Sequence, residues 1–413
     1  MITVERLDLR GDGVAGDSMI ARTLPGEVVE GANEDGRIAR PRIVTPSPRR
    51  VSPPCPHYRH CGGCALQHAD DDFVAEWKQS VLRRALEGQG LTAPFRPAHV
   101  SPPGSRRRAT LAGRRLKSGA LVGFHGRASD QVSAVPSCLI LSPALMAALP
   151  SLEALVAAGS SRKGAMALAV TALEGGVDVA ARGGRVLDAG LRRDLPRIAA
   201  EHGLARLSWD GELLYQPEPP VIRMGRALVP VPPGAFLQAT MPGEAALVAA
   251  VREALAGAAK VADLFAGCGT FTLPLAETAE LHAVEGDGAA LAALDSGWRG
   301  ATGLKRVSTE RRDLFRRPLL PEELVRFDAL VIDPPRAGAA AQMAQIARAA
   351  QAGRAPGIIA MVSCNPVTFA RDAALLVAAG YRLEWVQLVD QFRWSSHVEL
   401  AARLSRGHIA RNH

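Results

Sequence analysis

The feature that most constrains the fold is a regular alternation of short apolar runs and helical stretches from about residue 250 onward. A helical pattern over residues 244–255 precedes the apolar run KVADLFAG. Further runs follow in LHAVEGD, FDALVIDPP, GIIAMVSCNP and YRLEWVQLVDQF, separated by helical patterns. Strands that alternate with helices form a doubly wound, largely parallel sheet, and ligands bind outside the carboxyl ends of its strands. The sequence therefore predicts an α/β domain whose functional residues follow its strands.

A glycine turn follows the first of these runs. In residues 261–270 an apolar strand leads into Gly267 and Gly269, and the next strand ends in Glu285. Glycines let the backbone approach a bound nucleotide closely, and an acid at that place accepts hydrogen bonds from ribose hydroxyls. The loop lacks the third glycine that a dinucleotide site prefers. Its pattern D-L-F-x-G-x-G is similar to the first motif of class I methyltransferases, and this resemblance implies S-adenosylmethionine as the cofactor.

Two later strand ends carry groups that suit catalysis. Asp333 begins the sequence Asp-Pro-Pro-Arg, in which Arg336 stands where enzymes that methylate exocyclic amines usually have an aromatic residue. This difference argues against an amine as the methyl acceptor. Cys364 follows the run IIAMVS and is expected at the carboxyl edge of the sheet. A thiol there serves either as a nucleophile or as a structural residue.

A nucleophilic thiol suits methylation of uracil at C5, a carbon that is a poor nucleophile by itself. Addition of a thiolate to C6 turns the C5–C4–O4 system into an enolate, whose C5 then attacks the methyl group of a sulfonium. A general base must afterwards remove the C5 proton so that the thiolate leaves. Glu399 is the candidate base, although the strand-like alternation of residues 394–402 equally fits a glutamate that faces solvent.

A second group of cysteines lies in the N-terminal part of the chain. Cys55, Cys61 and Cys64 have the spacing C-x5-C-x2-C, and Cys138 is available as a fourth thiolate. Four cysteines hold either an iron–sulfur cluster or a zinc ion. Three histidines nearby also leave open a zinc site with mixed ligands, and these are His57, His60 and His68. The spacing therefore predicts a metal centre and leaves the choice between iron and zinc open.

The remaining features concern the partner and the cellular location. The 413 residues carry a formal net charge of +8, and the segment 101–115 is especially rich in arginine. A basic protein favours a polyanionic partner such as nucleic acid. The charged N-terminus lacks the apolar centre of a signal peptide, and no apolar run is long enough to span a membrane. We therefore expect a cytoplasmic protein that does not bind membranes, and a monomer.

Together these motifs resemble the RNA (uracil-5-)-methyltransferase family of the RumA/TrmA type over essentially the whole chain. The branch that acts on 23S ribosomal RNA is the most similar. The segment LDLRGDGVA…LPGEVVEG resembles a TRAM domain, a small RNA-binding β-barrel. The resemblance implies a [4Fe–4S] cluster held by Cys55, Cys61, Cys64 and Cys138. It also implies that SRRRATL…GFHGR belongs to a central RNA-binding region, with phosphate contacts from Arg106, Arg107 and Arg108.

The same resemblance implies roles for residues of the C-terminal part. Cys364, in VSCNPVTFARD, is the implied nucleophile, and Glu399, in HVE, is the implied base for the C5 proton. The implied cofactor contacts come from FLQAT, the glycine loop and later strand ends. They are Gln238, Phe265, Gly267, Gly269, Thr270, Glu285, Asp313 and Asp333.

The predicted fold class is α/β, with a class I (Rossmann-like) methyltransferase domain behind three smaller parts. The predicted boundaries are 1–50 for the TRAM-like β module, 51–90 for the iron–sulfur segment, 91–225 for the central α+β RNA-binding region and 226–413 for the methyltransferase domain. The predicted reaction is methyl transfer from S-adenosylmethionine to C5 of a uridine in 23S ribosomal RNA. The alternatives are a transfer RNA uracil-C5 methyltransferase and an iron–sulfur RNA-binding protein without catalysis. Cytosine-C5 methylation is disfavoured, because DPPRAG lacks the second cysteine that such enzymes typically carry.

Overall fold

The computed structural model describes residues 1–407, and its N-terminal part is a small β module. The strands of the module are β1 (Ile2–Thr3), β2 (Arg6–Leu7), β3 (Gly13–Ala15), β4 (Ser18–Ile20), β5 (Val28–Glu30), β6 (Arg37–Ile38) and β7 (Arg42–Thr45). They divide between two sheets, of order β1-β5-β7 and β2-β3-β4-β6. Residues from both sheets, among them Val4, Ile20, Val29 and Ile38, form one core. The short strands predicted for this region are therefore present.

A long helix follows the irregular segment that contains three of the cysteines. The helix, α1 (Asp71–Glu87), begins after Asp70, whose carboxylate accepts a hydrogen bond from the Phe73 backbone N–H at 2.7 Å. This N-cap satisfies one of the free donors of the first turn. The buried face of α1, which includes Trp77 and Val81, packs into the core beneath the C-terminal sheet. Neither α1 nor any other helix in residues 1–407 combines the length and the apolar character needed to cross a bilayer.

The central region is an antiparallel-rich sheet with its own core. Its elements are β9 (Arg108–Arg115), β10 (Ala120–His125), β11 (Val132–Ala134), α2 (Pro143–Ala147), α3 (Leu149–Gly159), β12 (Ala165–Leu173), β13 (Gly176–Arg182), α4 (Ala189–Glu201), β14 (Arg206–Trp209) and β15 (Glu212–Tyr215). The strand order is β11-β10-β9-β12-β13-β14-β15, in which β13 and β14 run parallel and the other neighbours antiparallel. Apolar residues of β12, α3 and α4 fill the core of this region.

The C-terminal domain contains one large sheet. Its elements are β8 (Phe95–Val100), the hairpin β16 (Val221–Met224) and β17 (Ala227–Pro230), α5 (Met241–Ala254), β18 (Lys260–Leu264), α6 (Thr272–Leu275), β19 (Glu280–Glu285), α7 (Gly288–Gly300), β20 (Val307–Arg311), α8 (Pro321–Leu324), β21 (Ala329–Ile332), α9 (Ala340–Gln351), β22 (Ile358–Ser363), α10 (Pro366–Ala378), β23 (Arg382–Asp390) and β24 (Leu400–Ser405). Within residues 1–407 the sheet order is β20-β19-β18-β21-β22-β24-β23-β8. The first five strands are parallel, and β24 is antiparallel to both of its neighbours. The predicted doubly wound sheet is confirmed.

Two strands of this sheet differ from the prediction. β8 comes from residues that the sequence analysis assigns to the central region, yet it pairs in parallel with β23. The start of the central region predicted at residue 91 is therefore wrong, because residues 95–100 form a strand of the large sheet and the central sheet begins later, at β9. β20 has the sequence VSTER and lies at the edge of the sheet, where most of its side chains meet solvent. An edge strand of this kind has no apolar run, so hydrophobic periodicity does not predict it.

Candidate active site and cysteine pocket

The glycine loop after β18 has three positive-φ positions, at Phe265, Gly267 and Gly269. A Cβ on Gly269 would lie within about 3.0 Å of leucine side chains of α6 and α7, so the packing there requires glycine. A Cβ on Gly267 would meet no heavy atom within 4 Å, since this residue faces open space. The backbone N–H of Gly267 donates to Glu285 at 3.0 Å, and that of Asp287 donates to the same carboxylate at 2.8 Å. The predicted ribose-binding acid is therefore held beside the loop.

A fully buried carboxylate, Asp263, and a half-buried one, Asp333, lie near this loop. One oxygen of Asp263 accepts a hydrogen bond from the Thr272 hydroxyl at 2.6 Å, and the other has no partner within residues 1–407. Burial raises the pKa of Asp263 to about 7. Burial, together with the Asp263 charge, raises the pKa of Asp333 to about 7 as well. A buried oxygen without a donor fits a polar group of a ligand. The open loop, the fixed Glu285 and this free oxygen together fit a nucleoside that carries an amino-acid tail.

The other predicted cofactor contacts lie on different sides of the loop. Asp313 follows β20 at the rim of the crevice, and its carboxylate accepts a hydrogen bond from the Phe315 backbone N–H at 3.0 Å. The Phe315 ring lies 5.5 Å from the Phe265 ring and forms an apolar wall with it. Thr270 instead lines a separate cavity of about 940 Å³, together with residues of β16 and α5. The structure thus brings Phe265 and Asp313 to the same side of the loop and Thr270 to another.

Cys364 lies at the carboxyl edge of the sheet, directly after β22, as predicted. The next residue, Asn365, is the N-cap of α10 and accepts a hydrogen bond from the Val367 backbone N–H at 3.1 Å. The side-chain amide of Asn365 also donates to the backbone oxygen of Arg336 at 2.9 Å, which ties the segments after β21 and β22 together. The half-buried thiol opens into a groove of about 490 Å³.

Glu399 lies near Cys364 and is buried, with 5% of its surface exposed. The alternative that the strand-like alternation of residues 394–402 left open, a glutamate that faces solvent, is therefore wrong. Burial, and then the Asp333 charge, raise the pKa of Glu399 well above its usual range, against the effect of Arg108 and Arg336. Burial, Glu399 and Asp333 likewise raise the pKa of the Cys364 thiol, and Arg336 lowers it. Glu399, Asp333 and Arg336 therefore lie close enough to Cys364 for their charges to shift the pKa of the thiol.

Gln238 is held by a residue that the sequence analysis does not single out. The side-chain N–H of Gln391 donates to Gln238 Oε1 at 2.7 Å, and both residues are buried. Gln238 Nε2 in turn lies 3.5 Å from Asp333 Oδ2. A buried ion pair between Lys78 and Asp390, at 2.7 Å, fixes the backbone next to Gln391. A single glutamine between a strand and a loop carries no sequence signal, so this orientation of the Gln238 amide was visible only in the structure.

Arg336, which follows the Asp-Pro-Pro motif, also contacts a histidine. Its guanidinium lies 2.8 Å from Nδ1 of His397. Because a guanidinium only donates, Nδ1 must accept, and the proton of a neutral ring is then on Nε2. Burial lowers the pKa of His397, as do the charges of Arg336 and other cations, which favours that neutral ring. His397, Arg336 and Cys364 line the same groove.

The three arginines predicted to contact phosphate have different surroundings. Arg107 is buried, forms an ion pair with Glu244 and donates to the backbone oxygen of Gln238 at 3.0 Å. The prediction for Arg107 is therefore wrong, because neighbouring residues of an extended chain face opposite sides and the middle arginine faces inward. Arg106 and Arg108 are half-buried and lie against aromatic rings. For these two the phosphate contact stays a prediction.

The structure brings the four predicted metal-binding cysteines to one small pocket. Cys55, Cys61 and Cys64 reach it from one loop and Cys138 from the segment after β11, and none forms a disulfide. A Cβ on Gly62 would lie 2.7 Å from the backbone oxygen of His125, so glycine is needed where this loop meets the central sheet. Burial and the neighbouring thiols raise the pKa of Cys64 to about 12.

The other walls of this cysteine pocket are largely apolar. Phe124 and Ile140 line it, and His57 does too, while His68 is bonded to the Tyr58 hydroxyl at 2.7 Å. Within residues 1–407, no three His, Cys, Asp or Glu side chains are grouped as ligands of a single metal ion. Four thiols in an apolar pocket are nevertheless a donor set that fits an iron–sulfur cluster.

A family model matches the C-terminal domain. Residues 298–407 match the family described as tRNA (Uracil-5-)-methyltransferase. This region contains Asp333, Cys364 and Glu399, and it excludes the glycine loop and the four pocket cysteines. The match therefore covers the strand ends that carry the predicted nucleophile and base.

Comparison with individual proteins extends the similarity to nearly the whole chain. An uncharacterized RNA methyltransferase of Brucella suis is 45% identical over 98% of both chains. The 23S rRNA (uracil(1939)-C(5))-methyltransferase of Chromohalobacter salexigens is 32% identical over 98% of this chain and 89% of that protein. The crystal structure of the Pyrococcus abyssi tRNA (uracil-54, C5)-methyltransferase with S-adenosyl-L-homocysteine has the same fold. Its TM-score is 0.76 at 23% identity, over 98% of this chain and 99% of that one.

Proposed function

The chain belongs to the RNA (uracil-5-)-methyltransferase family, and we propose that it methylates C5 of a uridine in 23S ribosomal RNA through a covalent adduct with Cys364. The observation that carries the proposal is the arrangement at the carboxyl edge of the sheet. There Glu399 lies close enough to Cys364 for its charge to raise the pKa of the thiol, beside a loop that faces open space. A nucleophile and a base at one end of a cofactor crevice are what C5 methylation requires.

The glycine loop and its acids are proposed to bind S-adenosylmethionine, which supplies an electrophilic methyl group. Glu285 would accept hydrogen bonds from the ribose, and the free oxygen of Asp263 would accept one from a polar group of the cofactor. Gln238 and Asp333 lie between this crevice and Cys364, so they are suited to hold the end of the cofactor that carries the methyl group.

The chemical steps follow from the two groups at the edge. The Cys364 thiolate adds to C6 of the uracil, and the displaced electron pair moves to O4 as an enolate. C5 of this enolate would form a bond to the methyl group that bound S-adenosylmethionine supplies, and the electron pair of the broken S–CH3 bond would stay on sulfur, which leaves as a neutral thioether. Glu399 then removes the C5 proton, the C5–C6 double bond re-forms, and the thiolate leaves. A raised pKa makes Glu399 a stronger base, and the nearby Arg336 stabilises the thiolate.

We assign the four pocket cysteines to a [4Fe–4S] cluster with a structural role. Methyl transfer to uracil moves no electron to or from the protein, so the reaction does not need a redox centre. A cluster would join the loop that carries Cys55, Cys61 and Cys64 to Cys138 in the central region. It would thereby fix the N-terminal segments against the central sheet.

The proposed RNA target rests on the similarity to the 23S ribosomal RNA enzyme, which covers nearly the whole chain. Transfer RNA is the second candidate, because the matching family and the Pyrococcus abyssi structure carry that name. An iron–sulfur RNA-binding protein without catalysis is disfavoured, since such a protein has no need of a buried Glu399 beside Cys364. Either RNA would be met in the cytoplasm.

The test is incubation with tritiated S-adenosylmethionine and total RNA that lacks 5-methyluridine, followed by size separation and nucleoside analysis. We expect tritiated 5-methyluridine in the 23S fraction. Label in the transfer RNA fraction would move the target to the second candidate. Absence of label from a protein that binds the cofactor and contains iron and sulfide would contradict the catalytic proposal.

A further inference from the structure

A groove of about 490 Å³ leads outward from Cys364 and is built from three parts of the chain that are far apart in sequence. The β module contributes Leu9 and Arg10, α1 contributes Arg84, and the segments after β21, β22 and β23 contribute the inner end. We call it the outer groove. None of the residues of the outer groove within the described part of the chain is an Asp or a Glu.

The outer groove carries positive charge that the protein itself does not neutralise. Arg10, Arg84 and Arg336 are all exposed, and within residues 1–407 none of them forms an ion pair with a carboxylate. By contrast, Arg49 and Arg393, outside the groove, are paired with Asp70 and Asp71. Three unpaired guanidiniums along one acid-free groove attract a chain of negative charges.

Exposed apolar side chains lie among these arginines. Leu9 is 62% exposed and Val367 is 57% exposed, and both line the outer groove beside the charged groups. Guanidiniums and apolar surfaces side by side suit a single nucleic acid strand, which offers phosphates and unstacked bases together. A base that reaches Cys364 must leave its stack, so the nucleotides next to it are also drawn to this side of the protein.

We propose that the outer groove binds the single-stranded RNA segment next to the target uridine, with Arg10 and Arg84 in contact with its phosphates. The inference rests on the proposed function and adds a substrate-binding surface to it. The phosphate contacts would come from arginines that three separate segments bring together, rather than from the buried Arg107. Arg336, at the inner end, would meet the phosphate closest to the target nucleotide.

The test compares the double variant R10Q/R84Q with the wild type in binding and methylation of an unmodified 23S ribosomal RNA transcript over a series of salt concentrations. We expect binding about tenfold weaker at physiological salt, and a slope of log Kd against log salt reduced by about 0.7 for each lost contact. The value of kcat at saturating RNA and the affinity for S-adenosylmethionine are expected to stay unchanged. R10K/R84K keeps both charges and is expected to restore most of the affinity.

Arg354 provides the matched control, because it is exposed and lies before β22, at the opposite edge of the sheet from Cys364. R354Q is expected to bind RNA like the wild type.

Wild-type affinity and salt slope in R10Q/R84Q, or an equal loss of RNA affinity in R354Q, would overturn the proposal. If the wild type binds RNA through Arg10 and Arg84 but transfers no methyl group, the outer groove stands and the proposed function fails. If the wild type methylates RNA and R10Q/R84Q has an unchanged KM, the proposed function stands and the outer groove fails.

Discussion

Cys364 and the four cysteines of the pocket near the N-terminus have similar burial and different surroundings. Burial raises the thiol pKa both of Cys364 and of Cys64 in the pocket near the N-terminus. Cys364 stands alone at a strand end, faces a groove and has carboxylates and a guanidinium around it. Cys64 faces three other thiols between apolar walls. Thiols of similar burial therefore have different surroundings, and we expect these surroundings, rather than burial, to determine whether a thiol reacts with a substrate or binds an inorganic group.

Removal of one thiol from each place tests whether Cys364 and the pocket cysteines have different roles. We expect Cys364→Ala to lower methyl transfer at least about 10⁴-fold, because the addition to C6 has no other nucleophile. The Tm and the iron content are expected to equal those of the wild type. Measurement of tritium transfer together with thermal unfolding and iron analysis checks both parts. Residual activity near the wild-type value would show that Cys364 is not the nucleophile.

Glu399→Gln is expected to interrupt the same reaction one step later. Without the carboxylate the C5 proton stays in place, so the thiolate cannot leave and the methylated RNA remains joined to Cys364. We expect a loss of turnover of about 10²–10⁴-fold and a protein–RNA adduct that survives denaturing electrophoresis. The double variant C364A/E399Q is the control and is expected to form no adduct. Normal release of methylated RNA by the single variant would rule out this role for Glu399.

Cys64→Ala is the corresponding change in the pocket, and its effect is expected on stability. Loss of one cluster ligand is expected to remove the bound iron and to lower the free energy of unfolding by about 2–4 kcal/mol. Activity would fall only as far as the folded fraction falls. Iron and sulfide analysis, with chemical unfolding followed by circular dichroism, measures both quantities. A variant that stays fully folded and loses turnover alone would contradict the structural role.

The two groups of cysteines also differ in how far the sequence predicts them. The position of Cys364 follows from an apolar strand and the rule that parallel sheets bind ligands at their carboxyl edge. The spacing of Cys55, Cys61 and Cys64 predicts a common pocket, while Cys138, which the family resemblance implies as the fourth member, joins them through tertiary contacts and not through local spacing. The same limit explains why Gln391 and the outer groove carry no sequence signal. Side chains that meet across distant segments follow from packing, and no local period encodes them.

Gln391→Leu tests whether the hydrogen bond from Gln391 to Gln238 is needed for cofactor binding. The change leaves Gln238 Oε1 buried without a donor, a loss worth about 1–3 kcal/mol. We expect the KM for S-adenosylmethionine to rise about fivefold to tenfold, since Gln238 and Asp333 lose their fixed arrangement, while RNA affinity stays unchanged. Gln391→Glu keeps an oxygen and removes the donor, so it is expected to resemble the leucine variant. An equal loss of RNA affinity would indicate a general structural effect instead.

Arg336 provides the smallest and most specific test of the charges around Cys364. The thiol is reactive only as a thiolate, so the rate is expected to rise with pH through the raised pKa of Cys364. Arg336 favours the thiolate, whereas Glu399 and Asp333 oppose it. Arg336→Leu is therefore expected to shift this rising limb of kcat/KM to higher pH, and Arg336→Lys to keep it near the wild-type position. A shift to lower pH would mean that Arg336 acts on the RNA or on His397 rather than on the thiol. The iron content of the cysteine pocket is expected to stay the same in both variants, because the charge of Arg336 acts on Cys364 and Glu399 at the sheet edge.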